Sequence, residues 1–200
     1  MGNTLHNPLL AGFYPDPSIC RVGDDFYMVT SSFSYFPGVP VFHSRDLAHW
    51  EQIGHVLDRP EQLPLSPENI SGGIFAPTIR YHDGLFYMIT TNVSVNKNFI
   101  VTAEDPAGPW SDPHWIDGAE GIDPSLFWDT DGKAYYTGTG ETVMNGVRRQ
   151  AIWLSEIDLE KFCLTGERDF IWGGSLAEPA WPEAPHLYLI GGYYYLMIAE

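Results

Sequence analysis

The chain has 200 residues, 44% of them hydrophobic and 14% aromatic, which is enough apolar material for a sizeable core. Its formal net charge of −16 excludes nucleic acid and anionic membrane surfaces as partners, because both are held through basic patches. The 20 Gly and 16 Pro favour short elements joined by tight turns, and no helical periodicity runs over a long window.

The elements repeat along the chain. Met1–Leu10 has neither a basic n-region nor a long apolar run, so it reads as no secretory signal and as a cytoplasmic protein. From Asp16 to Thr30 a Pro, a short apolar strand, a Gly-Asp turn and an aromatic strand follow one another. That order predicts a β-hairpin. The same order returns at Ala76–Thr90, Asp123–Thr137 and Ala184–Ile198. Between the hairpins lies a second unit, an apolar strand running into a polar turn and an aromatic anchor: Val41–Trp50, Ile100–Trp110 and, more weakly, Ile152–Phe162. Two hairpins make a four-stranded unit of about 50 to 60 residues, the size of a propeller blade. The sequence thus predicts an all-β propeller with three blades and the first hairpin of a fourth. Residues 1–200 are expected to form one incomplete domain. Cys20 and Cys163 have apolar neighbours and no metal-ligand spacing, which predicts reduced, buried thiols.

The repeat also aligns acids. Asp16, Ala76, Asp123 and Ala184 each stand directly before a Pro at the start of a first strand, and Glu183 precedes the fourth of them. In a propeller the first strands line the central channel, so three carboxyl groups from three blades are expected to meet in one axial pocket. A single Asp-Pro is ordinarily a turn device. Three acids at matched positions in apolar surroundings suit glycoside hydrolysis, where one carboxyl group protonates the leaving oxygen and another activates water. A third nearby favours the protonated form of the acid. His186 follows Glu183 by three residues, and strand alternation predicts that the two point to opposite faces.

Five ordered motifs carry a resemblance that covers essentially the whole chain: Gly12–Ser18, Phe33–Ser44, Ser71–Pro77, Gly121–Phe127 and Glu183–Tyr188. They resemble glycoside hydrolase family 43, the β-xylosidases and α-L-arabinofuranosidases of five-bladed propeller fold. The resemblance implies Asp16 as general base, Glu183 as general acid, and Asp123 as the group that tunes the acid and orients the sugar. It implies inversion, release of xylose from the non-reducing end of β-1,4-xylooligosaccharides, and a sugar subsite walled by Phe36, Phe75 and Phe127. Many xylosidase relatives have Trp where Phe75 stands, which keeps arabinofuranose open as a substrate. No cofactor is required for the chemistry and no metal site is expected in this chain. Some relatives hold a calcium ion through a histidine beyond its end. Assembly of identical copies is left open. A sugar-binding propeller without catalysis is the alternative of another class.

Overall fold

The computed structural model describes residues 7–65, 69–144, 146–174 and 181–200. The described chain is all-β apart from one 3-10 turn at Pro60–Gln62. None of its helices is long and apolar enough to cross a membrane. Three antiparallel sheets follow in order. The first is β1 (Ser18–Val22), β2 (Asp25–Val29), β3 (Gly38–Ser44) and β4 (Glu51–Leu57). The second is β5 (Thr78–His82), β6 (Leu85–Asn92), β7 (Lys97–Ala103) and β8 (His114–Trp115). The third is β9 (Ile122–Trp128), β10 (Ala134–Met144), β11 (Val147–Asp158) and β12 (Cys163–Leu164), with β13 (Asp169–Trp172) also paired to β11. A hairpin of β14 (Glu183–Ile190) and β15 (Tyr193–Ala199) ends the chain.

The four first hairpins form where the repeat predicts them. Two-residue turns close three of them, between Val22 and Asp25, His82 and Leu85, and Ile190 and Tyr193. Asp83 and Gly84 both have positive φ, the requirement of a turn whose twist matches its strands. The third hairpin closes between Trp128 and Ala134, so its turn is longer. The extra length shifts the return strand by one residue. Ser125 pairs with Thr137 where Ser18 pairs with Val29, so Thr137 corresponds to Val29 and not to Thr30.

The third sheet departs from the expected four strands. β11 is 12 residues long, and β12 covers only Ile157 and Asp158. That leaves the edge at Ile152–Leu154 open, and β13 pairs there. An unpaired edge within a fold invites such cover.

The middle sheet is buried on both faces. Met88, Phe99 and Val101 join Val29, Val41 and Leu57 of the first sheet in one core. Ile89 and Ile100 join Leu126, Tyr136 and Trp153 of the third in a second. Alternate residues of β6 and β7 therefore serve different cores, which explains their continuous apolar runs. Each such side chain contributes about 1.5 to 3 kcal/mol of burial. The first strands pack in sequence, β1 on β5, β5 on β9 and β9 on β14. Polar bonds tie them together: Ile79 N–H donates to Ser18 Oγ (3.1 Å), Arg80 Nε to the Leu126 carbonyl (3.1 Å), and Ser125 Oγ to the Pro185 carbonyl (2.6 Å).

The two cysteines are free and half-buried, and burial pushes the Cys20 thiol up to about 12, so it stays protonated and inert.

Candidate active site

The row of first strands brings the three acids together. Asp16, Asp123 and Glu183 line one cavity of about 270 Å³, with Ala76 and His186 also on its wall. Asp16, Asp123 and Ala184 share a further property, φ of +55°, +55° and +48°. A non-Gly residue there is strained, and before a Pro it departs from the extended conformation usual at that position. Such strain is held only where the surroundings over-determine it. Here it turns successive strand starts so that their side chains converge.

Each acid has its own environment. Asp16 is exposed and accepts a hydrogen bond from Ser31 Oγ at 2.5 Å. Asp123 is half-buried and accepts the Ala184 N–H at 3.2 Å. Burial, then the Glu183 charge, and to a smaller degree the Asp16 charge raise the Asp123 carboxyl from 3.8 to about 6, against the Ala184 N–H, which lowers it. Glu183 begins β14 and is half-buried. The position of β14 is fixed from two sides, by the Ser125 bond to Pro185 and by Thr139 Oγ1 near the Pro182 carbonyl (3.4 Å).

The raised Asp123 has a consequence for stability. The folded protein keeps this proton to about pH 6, while the unfolded chain releases it near 3.8. The stability contribution is therefore fully present below pH 3.8 and is lost as pH rises through 6, up to about 3 kcal/mol. Asp123→Asn should raise the melting temperature of the full-length protein at pH 8 and leave it nearly unchanged at pH 4. A melting-temperature difference that does not vary with pH would contradict this.

His186 is not where alternation predicts. The pairing of β14 with β15 slips between Glu183 and His186, next to the positive φ of Ala184, so both residues face the same cavity. A bulge of this kind re-aims one side chain. Arg80 then fixes the imidazole: its Nη2 donates to His186 Nδ1 at 2.7 Å, which assigns the ring proton to Nε2. Burial, with Arg80 second, holds the imidazole down at about 4, so it is neutral near pH 7. Arg80 itself also donates to the Ile79 carbonyl and stands over the Tyr188 ring.

The three aromatic candidates lie elsewhere, and none is among the residues lining this cavity. Phe36 is half-exposed beside cis-Pro37. Phe75 directly precedes Ala76 and meets the Phe33 ring edge-on at 5.5 Å. Phe127 packs against Tyr194, with ring centroids 6.1 Å apart. Phe13 and Phe33 stack at 5.9 Å and line a separate apolar cavity of about 400 Å³ with Tyr35 and Ile70. Among the described residues no group of three or more His, Cys, Asp or Glu side chains has a metal-binding arrangement.

The model of glycosyl hydrolases family 43 matches residues 5–200. A "xylosidase/arabinosidase" of Butyrivibrio fibrisolvens is 63% identical over 98% of the chain. A "non-reducing end alpha-L-arabinofuranosidase" of Bacteroides ovatus is 48% identical over the same share. The chain spans only 38% and 36% of these two relatives. The crystal structure of a xylan β-1,4-xylosidase from Bacillus halodurans superposes with a TM-score of 0.89 at 44% identity, over 98% of this chain and 39% of that one.

Proposed function

Because the chain belongs to glycosyl hydrolase family 43, we propose that the full-length protein is an inverting glycoside hydrolase that releases xylose from the non-reducing end of β-1,4-xylooligosaccharides. The observation that carries the reading is the meeting of Asp16, Asp123 and Glu183, from three different sheets, in one small cavity. Its volume lies just under the roughly 300–1,000 Å³ of pockets for drug-sized ligands, which suits a single terminal sugar unit. In the proposed reaction Asp16 takes a proton from a water molecule, whose oxygen attacks the anomeric carbon. Glu183 gives its proton to the departing glycosidic oxygen, and the bond from that oxygen to the anomeric carbon breaks. Asp123 orients the sugar beside Glu183. His186 presents a neutral N–H donor to the same cavity.

The domain we propose is a five-bladed propeller, of which residues 1–200 supply three blades and the first hairpin of the fourth. Remaining chain would then cover the exposed rings of Tyr193, Tyr194 and Tyr195. Of the aromatic candidates we place Phe75, which directly precedes Ala76 of the cavity wall, beside the terminal sugar; the family resemblance implies that Phe36 and Phe127 complete the subsite walls. The reaction runs on carboxyl groups and needs no cofactor. A cation near His186 would face the Arg80 guanidinium, so a calcium ion is assigned only to residues beyond this chain.

A second reading, α-L-arabinofuranosidase or both activities, is favoured by one residue: Phe75, a smaller ring than Trp directly before the cavity residue Ala76. The names of the two relatives point the same way. Hydrolysis of an aryl β-xyloside and an aryl α-L-arabinofuranoside by the full-length protein separates these readings. Xyloside cleaved with the higher kcat/KM supports the first. Arabinofuranoside alone cleaved replaces it with the second, and sugar binding without turnover of either sinks both.

A further inference from the structure

We propose that Ser31 is the positioning residue that commits Asp16, and not its repeat counterpart Asp123, to act as the base. The inference rests on the hydrolytic reading above and adds to it a residue that none of its steps uses.

The first-sheet ladder ends at Ser18 paired with Val29. Carried two residues further, it sets Ser31 across from Asp16. Ser31 is buried, its N–H donates to the Pro15 carbonyl at 3.0 Å, and its Oγ donates to Asp16 Oδ2 at 2.5 Å. One short bond to a fixed, buried donor holds one carboxylate oxygen. Asp16 lines the cavity with Asp123, Glu183 and His186, and Arg80 stands behind the imidazole.

The other repeats show that this is a choice of sequence and register. In the second sheet the same position is Thr91, across from Ala76, and its hydroxyl is spent on Asn98 Oδ1 at 2.5 Å. In the third sheet it is Thr139. There a bulge between Thr137 and Thr139 slips the ladder by one, so that Thr139 pairs with Ile122 instead of standing across from Asp123. The Thr139 hydroxyl turns to the Pro182 carbonyl, and Asp123 takes a backbone N–H in its place. Two Asp-Pro-Ser segments of identical local sequence thus receive different donors. One accepts a side-chain hydroxyl at an exposed site, and the other is half-buried and accepts a backbone N–H beside Glu183. Different environments are what divide two like carboxyl groups into different roles.

The test is a double-mutant cycle in the full-length protein with an aryl β-xyloside, the slowest variants being read at high enzyme concentration over long incubations. Ser31→Ala should lower kcat about 10- to 100-fold, as for a misplaced reacting group, with KM changed by less than about twofold. In the Asp16→Ala background the same change should alter the rate by less than about twofold, because its effect passes through the missing carboxylate. Ser31→Thr, which keeps the hydroxyl, should recover most of the rate. Unchanged kcat in Ser31→Ala, or an equal loss with and without Asp16, overturns the inference and leaves the base assignment standing. Full activity in Asp16→Ala would instead sink the base assignment itself.

Discussion

Glu183→Ala in the full-length protein is expected to lose about 10³- to 10⁴-fold in kcat on xylobiose, the upper part of the range for general acid catalysis. On an aryl xyloside with a strongly acidic phenol the loss should shrink to roughly tenfold or less, since such a leaving group needs little protonation. The contrast between substrates is the informative quantity. Damage to the cavity would slow both equally. Only loss of the proton donor spares the better leaving group. Glu183 is suited to this role by its placement at the first residue of β14, held by the Pro182 and Pro185 carbonyl contacts on either side of it. Equal losses on the two substrates would remove the acid assignment from Glu183.

The second large effect concerns stability. Gly121 has φ of +96°, and a Cβ there would land on the Thr139 carbonyl oxygen, a backbone atom that cannot step aside alone. Gly121→Ala therefore combines backbone strain with a steric conflict where β9 meets the bulge of β10. The expected cost is about 3 kcal/mol or more. Gly132 has a similar φ of +81° but open space around it. Gly132→Ala should cost only about 1 to 2 kcal/mol, the strain alone. Denaturant midpoints of the two variants measure the difference. Equal losses would show that the close approach of β9 and β10 is not what requires glycine at 121. Because Gly121 lies two residues before Asp123, the same contact also anchors that acid.

Much of the architecture could be read from the sequence because it is written repeatedly. Each first hairpin carries its own Pro, apolar strand and turn, so four copies support one another. The three acids were legible for the same reason: Asp16 and Asp123 share a repeat position, and Glu183 adjoins the fourth copy. What escaped was set by register and not by residue type. His186 faces the cavity because β14 slips against β15, and no alternation pattern announces a slip. The one-residue offset of β10 comes from a longer turn. β13 exists because β11 outruns β12, a consequence of strand lengths. Arg80 had a faint signal as the lone cation within an apolar strand, yet its partners come from β9 and β14, far along the chain. Ser31 follows Asp16 by fifteen residues, and only the hairpin ladder shows that this separation means contact.

The central claim is that Asp16 and Glu183 act on opposite sides of one anomeric carbon, with water as the nucleophile. Proton NMR of the first minutes of aryl β-xyloside hydrolysis by the full-length protein tests it most directly. Inversion predicts that α-xylose appears first and the β-anomer grows only as the sugar mutarotates. First appearance of β-xylose would contradict the claim, because retention requires a carboxylate that bonds to the sugar and not one that activates water.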